Sequence, residues 1–254
     1  KFEGTNLLNI SEEEARAVRG NKIAMIFQEP MTSLNPSISV GRQVGEPIEV
    51  HEKMSIEDAQ LRSQDLLAKV RIPDPIKRAK SYPHEFSGGM RQRVMIAMGL
   101  ACNPKLIIAD EPTTALDVTV QAQVLYLLKT LTQENNAAFV LITHDLGVVA
   151  RYADRVNVMY AGKIVESGTA RDIFNSPKHP YTVALMKSVP RLNAKEKNRL
   201  EPIEGQPPDL GRLPKGCAFQ PRCKYASEKC KIQRPTLTLV KEGHKKACWE
   251  DING

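Results

Sequence analysis

No stretch of the 254 residues approaches the roughly 18 consecutive apolar residues that a membrane-spanning helix needs, which excludes a helical integral membrane protein. The opening KFEGTNLLNI has neither the basic start nor the apolar run of a secretory signal, so the chain is expected in the cytoplasm. Aromatic residues are scarce, at 5%. The tail offers Phe174, Tyr181, Phe219, Tyr225 and Trp249 as stacking platforms, too thin a set to favour a nucleic-acid partner. Cysteine is nearly missing from the first 216 residues, where Cys102 stands alone. That is what a reduced compartment allows and a disulfide framework does not.

What is present divides unevenly. With 41% apolar and 26% charged residues, the chain can build one large domain and a smaller one. The formal charge of +7 is not spread along it: residues 1–170 hold 19 Lys/Arg against 20 Asp/Glu, and residues 171–254 hold 17 against 9. The basic excess therefore lies in the tail, together with Cys217, Cys223, Cys230 and Cys248. A boundary is expected between Phe174 and Pro190. The chain also begins at Lys1, part way through what reads as a strand and turn, and is expected to be a fragment.

Periodicity predicts alternating strands and helices. Ser11 with Glu14 three residues on has the spacing of a capping box, so a short helix follows Ser11. KIAMIF, Lys22 to Phe27, reads as a buried strand. From about Ser39 to Ala101 no strand pattern occurs, and Ile56, Leu67 and Val70 recur at roughly helical spacing, which marks a helical insertion. After it come strand LIIAD, helix TVQAQVLYLLKTLTQEN, strand AFVLIT, helix DLGVVARYA, and strands VNVMY and KIVES about the turn Ala161-Gly162. Such alternation argues for an α/β fold with a mostly parallel sheet covered on both faces.

Ligands of such sheets bind beyond the carboxyl ends of the strands. LIIAD runs straight into two acids there, Asp110 and Glu111. One can hold Mg²⁺, usually through water, and its neighbour can orient or deprotonate an attacking water. Three further elements have the look of a site. Ser87-Gly88-Gly89 opens a helix with unpaired backbone N–H groups and nothing to block close approach, an arrangement that suits phosphate. His144 ends the strand of LITHDL, and Gln28 ends IAMIF. Each alone reads equally as a capped turn or an exposed loop.

Taken in order, Gln28, SGGM, LIIADEP, ALD and LITHD resemble the ATP-binding subunits of ABC transporters over nearly the whole chain. The resemblance implies an ABC-type P-loop NTPase fold with a helical subdomain and a small cysteine-containing C-terminal domain. It makes Gln28 the Q-loop glutamine, Ser87, Gly88, Gly89 and Met90 the signature motif that faces the γ-phosphate on an opposing subunit, and Asp110 the metal-holding end of the Walker B strand. Glu111 becomes the catalytic carboxylate, Asp117 the D-loop acid and His144 the switch histidine. MIFQEPMTSLNP, RVMIAMGLACNPKLIIADEPTTALDVTVQAQ and KHPYTVAL look like the dipeptide and oligopeptide importer branch, which includes nickel and antimicrobial-peptide relatives. By resemblance the divisions are 1–38 with 102–170 as core, 39–101 as helical subdomain, and 171–254 as C-terminal domain.

Phe86 and Met90 stand where the general signature has Leu and Gln, but the serine and glycines are intact. A larger departure is that no G-x-x-x-x-G-K-[ST] occurs; Gly162-Lys163 lacks both the earlier glycine and the following Ser/Thr. Truncation is the expected reason, and these 254 residues alone should not hold ATP properly, because that loop supplies most of the β- and γ-phosphate contacts.

The implied activity is ATP hydrolysis that powers peptide import. Its implied partners are two permeases, a second and related cassette, and indirectly a solute-binding protein, at the cytoplasmic face of a prokaryotic inner membrane. A soluble ABC ATPase acting on nucleic acid or ribosomes is the alternative, against which stand the few aromatics and the lack of an internal repeat. The loop Glu29 to Ser37 carries Met31 and Leu34 outside any periodic core pattern and is expected to help form a groove for a permease helix. The tail cysteines, spaced C-x5-C-x6-C-x17-C, are numerous enough for a metal site. Close C-x2-4-C pairs usual for zinc are absent, while a [4Fe-4S] cube accepts thiolates from wider loops. The resemblance implies the cluster, with Zn²⁺ the alternative.

Overall fold

The computed structural model describes residues 1–114, 116–188 and 202–252, and of Pro30 and Met31 the backbone alone. The chain forms two compact units, Lys1–His144 and Asp145–Gly254.

In the first unit the local signals act as read. Helix α1 (Glu12–Val18) starts from the reciprocal Ser11–Glu14 box, in which each side chain accepts from the other's backbone N–H. Strand β1 is Ile23–Ile26. A single helical turn, α2 (Pro30–Ser33), precedes α3 (Val40–Glu52), α4 (Ile56–Lys69), the turn α5 (Pro75–Arg78) and α6 (Gly88–Leu100). Strand β2 (Leu106–Asp110), helix α7 (Val118–Glu134) and strand β3 (Ala138–Ile142) complete the unit.

The three strands form a parallel sheet in the order β1-β2-β3, with Ile26 paired to Ala109 and Asp110 to Ile142. Because side chains alternate along a strand, Ala24, Ile26, Ile107 and Ala109 all point into the core with Ile96, Val124 and Leu128 of α6 and α7. The opposite face does not show the burial expected of a sheet covered on both sides. Met25, Val140 and Ile142 there are 42%, 45% and 46% exposed.

Two further expectations change. Leu34 is 3% exposed and belongs to the core, so it is a packing residue and no part of an open groove; the Met31 side chain lies outside the described residues. The buried amide of Gln43 fixes the loop around Leu34, accepting from Asn35 N at 2.8 Å and donating to the carbonyls of Asn35 and Ile38 at 2.9 and 2.8 Å. Cys102, by contrast, is the buried residue it was expected to be, and burial pushes its thiol up to about 11.

In the second unit α8 (Leu146–Tyr152) leads into β4 (Arg155–Tyr160) and β5 (Lys163–Thr169), followed by α9 (Ala170–Asn175) and α10 (Pro180–Lys187). After a largely irregular stretch come α11 (Glu228–Ile232), β6 (Thr238–Lys241) and β7 (His244–Lys246). Strands β4 and β5 do not extend the parallel sheet. They form an antiparallel hairpin, turned at Ala161 and Gly162 with φ of 48° and 72°, the paired positive values of a tight hairpin turn. Their sheet runs β4-β5-β7-β6, so two strands of the tail, not expected from sequence, complete it. Its core joins Val158, Val165 and Ile173 to an aromatic trio, in which the rings of Tyr160 and Tyr181 lie 4.7 Å apart and those of Tyr160 and Phe219 5.2 Å apart.

Candidate functional site

The parallel sheet delivers three polar side chains to its carboxyl edge. Gln28 lies two residues past β1, Glu111 one past β2 and His144 two past β3. Glu111 N donates to Ile142 O at 2.9 Å, which carries the ladder one step beyond the strand end. The backbone then turns sharply, with Glu111 at φ 43°, a left-handed conformation costly for a residue with a Cβ. Such strain concentrates at functional sites.

The Glu111 carboxylate is the hub. Its Oε2 accepts from Gln28 Nε2 at 2.9 Å and from Thr114 Oγ1 at 2.9 Å, and its Oε1 lies 2.9 Å from His144 Nδ1. The hydrogen bonds from His144 first and Thr114 second hold this carboxyl below the usual carboxylate range. It is therefore ionised and ordered at neutral pH, with 24% of its side chain still open to solvent, so a reacting water can reach it.

A second group forms where α6 begins. Ser87 Oγ caps that helix, accepting from Met90 N at 3.3 Å. A Cβ on Gly89 would come within 2.7 Å of Val120 Cγ1, and one on Gly88 within 3.7 Å of Leu116 Cδ2, so both glycines lie against the start of α7. Asp117 caps α7 through Oδ1, which accepts from Thr119 N and Val120 N at 3.0 Å each. The structure thus gathers Gln28, Glu111 and His144 into one hydrogen-bonded group. Ser87, Gly88, Gly89, Met90 and Asp117 form another, built by packing and capping. Asp110 ends the central strand, half-buried beside the first group.

The structure does not support the expected iron–sulfur cluster. Among the described residues no three or more His, Cys, Asp or Glu side chains are grouped so that they could hold a metal ion. Cys217, Cys223, Cys230 and Cys248 line one small cavity with Phe219, Pro235 and Trp249. Burial raises the thiols of Cys217 and Cys248, and that of Cys223 to about 11. The lack of such a grouping among the described residues leaves zinc without support as well.

Sequence reasoning missed Thr114, whose hydroxyl reaches the hub from the same turn; its one visible signal was a hydroxyl three residues after an acid. It also missed the buried Glu166, His179 and His244 of the second unit.

A helical insertion between strands of a parallel sheet, with a glutamine, a glutamate and a histidine at neighbouring strand tips, defines an ATP-binding cassette. The family model described as "ABC transporter" matches residues 1–114, and that described as "Oligopeptide/dipeptide transporter, C-terminal region" matches residues 165–230. The chain is 53% identical over 248 residues to the "Oligopeptide transport ATP-binding protein OppD" of Haemophilus influenzae, covering 98% of this chain and 76% of that protein. It is 53% identical over 251 residues to the protein of the same name from Salmonella typhimurium, covering 99% and 74%. The chain belongs to this family of oligopeptide transport ATP-binding proteins. Among solved structures it is similar to the ATP-binding cassette MJ0796 in a dimeric, post-hydrolysis state bound to ADP and Pi, with a TM-score of 0.57, 30% identity, and 64% of this chain and 69% of that one covered.

Proposed function

We propose that the chain is the ATP-binding and ATP-hydrolysing subunit that powers peptide uptake through an ABC importer. The observation that carries this reading is the Glu111 carboxylate, ionised, partly open, and held by Gln28 and His144 at the tips of three parallel strands. The names of the relatives, which are those of peptide transport and peptide import proteins, favour it over an ATPase directed at nucleic acid or ribosomes.

In this reading Glu111 accepts the proton of the attacking water and orients it, while Gln28 and His144 fix the carboxylate for that task. The carboxylate of Asp110 and the amide oxygen of Gln28 are hard donors of the kind Mg²⁺ takes from a protein alongside water, so both fit the ion. Bound there with ATP, Mg²⁺ would neutralise charge on the β- and γ-phosphates. Ser87, Gly88, Gly89, Met90 and Asp117 present the phosphate-facing edge to a second cassette. The chain divides functionally into 1–38 with 102–170 as core, 39–101 as helical subdomain and 171–254 as C-terminal domain. Two permeases, a related second cassette and, indirectly, a solute-binding protein are its partners at the cytoplasmic face of the membrane.

The test is Glu111→Gln in the assembled transporter with the phosphate-binding loop in place. ATP binding should persist, and hydrolysis should fall by about 10²- to 10⁴-fold, the contribution of a positioned general base. Turnover near that of the parent would remove Glu111 from the mechanism.

A further inference from the structure

We propose that Thr114 is a positioning residue for hydrolysis, its hydroxyl holding the Glu111 carboxylate in the one orientation that Gln28 and His144 can also reach. The inference rests on the reading of Glu111 given above.

Three donors meet one carboxylate, but they are not equivalent. Gln28 and His144 are 83 and 33 residues away in the chain and reach Glu111 only because the strands are paired. Thr114 lies on the same turn as Glu111: its backbone N donates to Glu111 O at 3.4 Å, and Oγ1 lies 2.9 Å from Oε2 and 3.3 Å from the Glu111 carbonyl. A hydroxyl has one proton to give. The shorter contact is to the charged oxygen, where hydrogen bonds are stronger, so the proton goes to the carboxylate. The contact from Thr114 therefore depends on the turn alone, and those from Gln28 and His144 depend on the pairing of the strands.

The backbone geometry adds a reason for such a hold. With φ at 43°, Glu111 sits in a region that residues bearing a Cβ avoid, and a turn in that state is kept only by the bonds that close it. Thr114 closes it twice, through its amide and through its hydroxyl. Without the hydroxyl, Oε2 loses one of its two donors and the side chain gains rotamers that point away from the edge of the sheet.

The test separates a positioning role from a merely structural one by a split between kcat and KM and by rescue with the conservative variant. Thr114→Val keeps the shape and removes the donor, and Thr114→Ser keeps the donor. In the assembled transporter Thr114→Val should lower kcat by about tenfold or more, as misplacement of a reacting group does, with KM for ATP little changed. Thr114→Ser, which keeps the donor, should restore kcat.

Parent-like kcat in Thr114→Val, or equal loss in the serine variant, would overturn the assignment. An active Glu111→Gln would sink the reading of Glu111 itself. An inactive Glu111→Gln beside a parent-like Thr114→Val would sink only the role of Thr114.

Discussion

Glu166 and His244, 78 residues apart in the chain, meet as a completely buried pair, with Glu166 Oε1 2.8 Å from His244 Nε2. The same carboxylate accepts from the backbone N–H groups of Lys178 at 2.6 Å and His179 at 2.9 Å. One side chain of β5 thus ties strand β7 and the start of α10 to the sheet. Removing one partner of such a pair leaves the other buried and uncompensated, which costs about 3–5 kcal/mol. Trp249, the only tryptophan, lies in the same unit and reports its unfolding. Glu166→Ala should lower the unfolding free energy read from urea titration of its fluorescence by that amount, and an unchanged value would contradict the tie.

His179 supplies a pH dependence. It is 1% exposed, and burial lowers its pKa to about 4 although Glu166 pulls the other way; Lys246 adds to the lowering. The unfolded chain, titrating near the model-peptide value of about 6.5, therefore binds more protons than the folded one between about pH 4 and 6.5. Stability rises with pH across that window, is complete above it, and is lost as pH falls through it, by about 3 kcal/mol in all. Unfolding followed at Trp249 from pH 4 to pH 7.5 should show this slope, and His179→Gln should flatten it.

Gly216 has no room for a side chain. A Cβ there would overlap the carbonyl oxygen of Cys230 and lie 2.6 Å from the carbonyl carbon and oxygen of Lys231, all of them backbone atoms that cannot swing aside. Next to it, Cys217 N donates to Cys230 O at 2.8 Å. Gly216→Ala should break this pairing and cost about 1–3 kcal/mol or more, the range for overpacking. Hydrogen exchange at the Cys217 amide, slow in the parent, should become fast; retained protection would count against the crowding.

At Gly89 the crowding is with a side chain and should be reversible. Alanine there meets Val120 Cγ1 at 2.7 Å. Gly89→Ala should destabilise the first unit, and adding Val120→Ala should recover part of the loss. A double-mutant cycle by thermal unfolding should give a coupling of about 0.5–3 kcal/mol, and strict additivity would show that the two positions do not touch.

The sequence made the first unit legible because its strands end in polar residues and its helices start at strong caps. LIIAD followed by Glu111, and Ser11 with Glu14, are local patterns whose meaning needs no distant partner. What it hid was non-local. The hairpin of β4 and β5 could be read from Ala161-Gly162, but its third neighbour, His244–Lys246, is a three-residue strand without apolar alternation and shows itself only when Glu166 is seen to bind it. Leu34, alone in a polar loop, has no neighbours at helical or strand spacing to phase it, so its burial depends on the fold of α3 and α6. Cysteine spacing told how many thiols the tail holds and nothing of the space between them.

The register of the parallel sheet sets a tolerance on the chemistry at its edge. Gln28, Glu111 and His144 take their places from the pairing of Ile26 with Ala109 and of Asp110 with Ile142. One residue of slip moves a strand about 3.3 Å along its neighbour. That is more than the whole 2.9 Å separating Gln28 Nε2 from the carboxylate, so the sheet works as an indexed rail with a single usable stop. Packing substitutions deep among Ala24, Ile107 and Ile96 that loosen that stop would disarm the site from a distance, without altering any of its own residues.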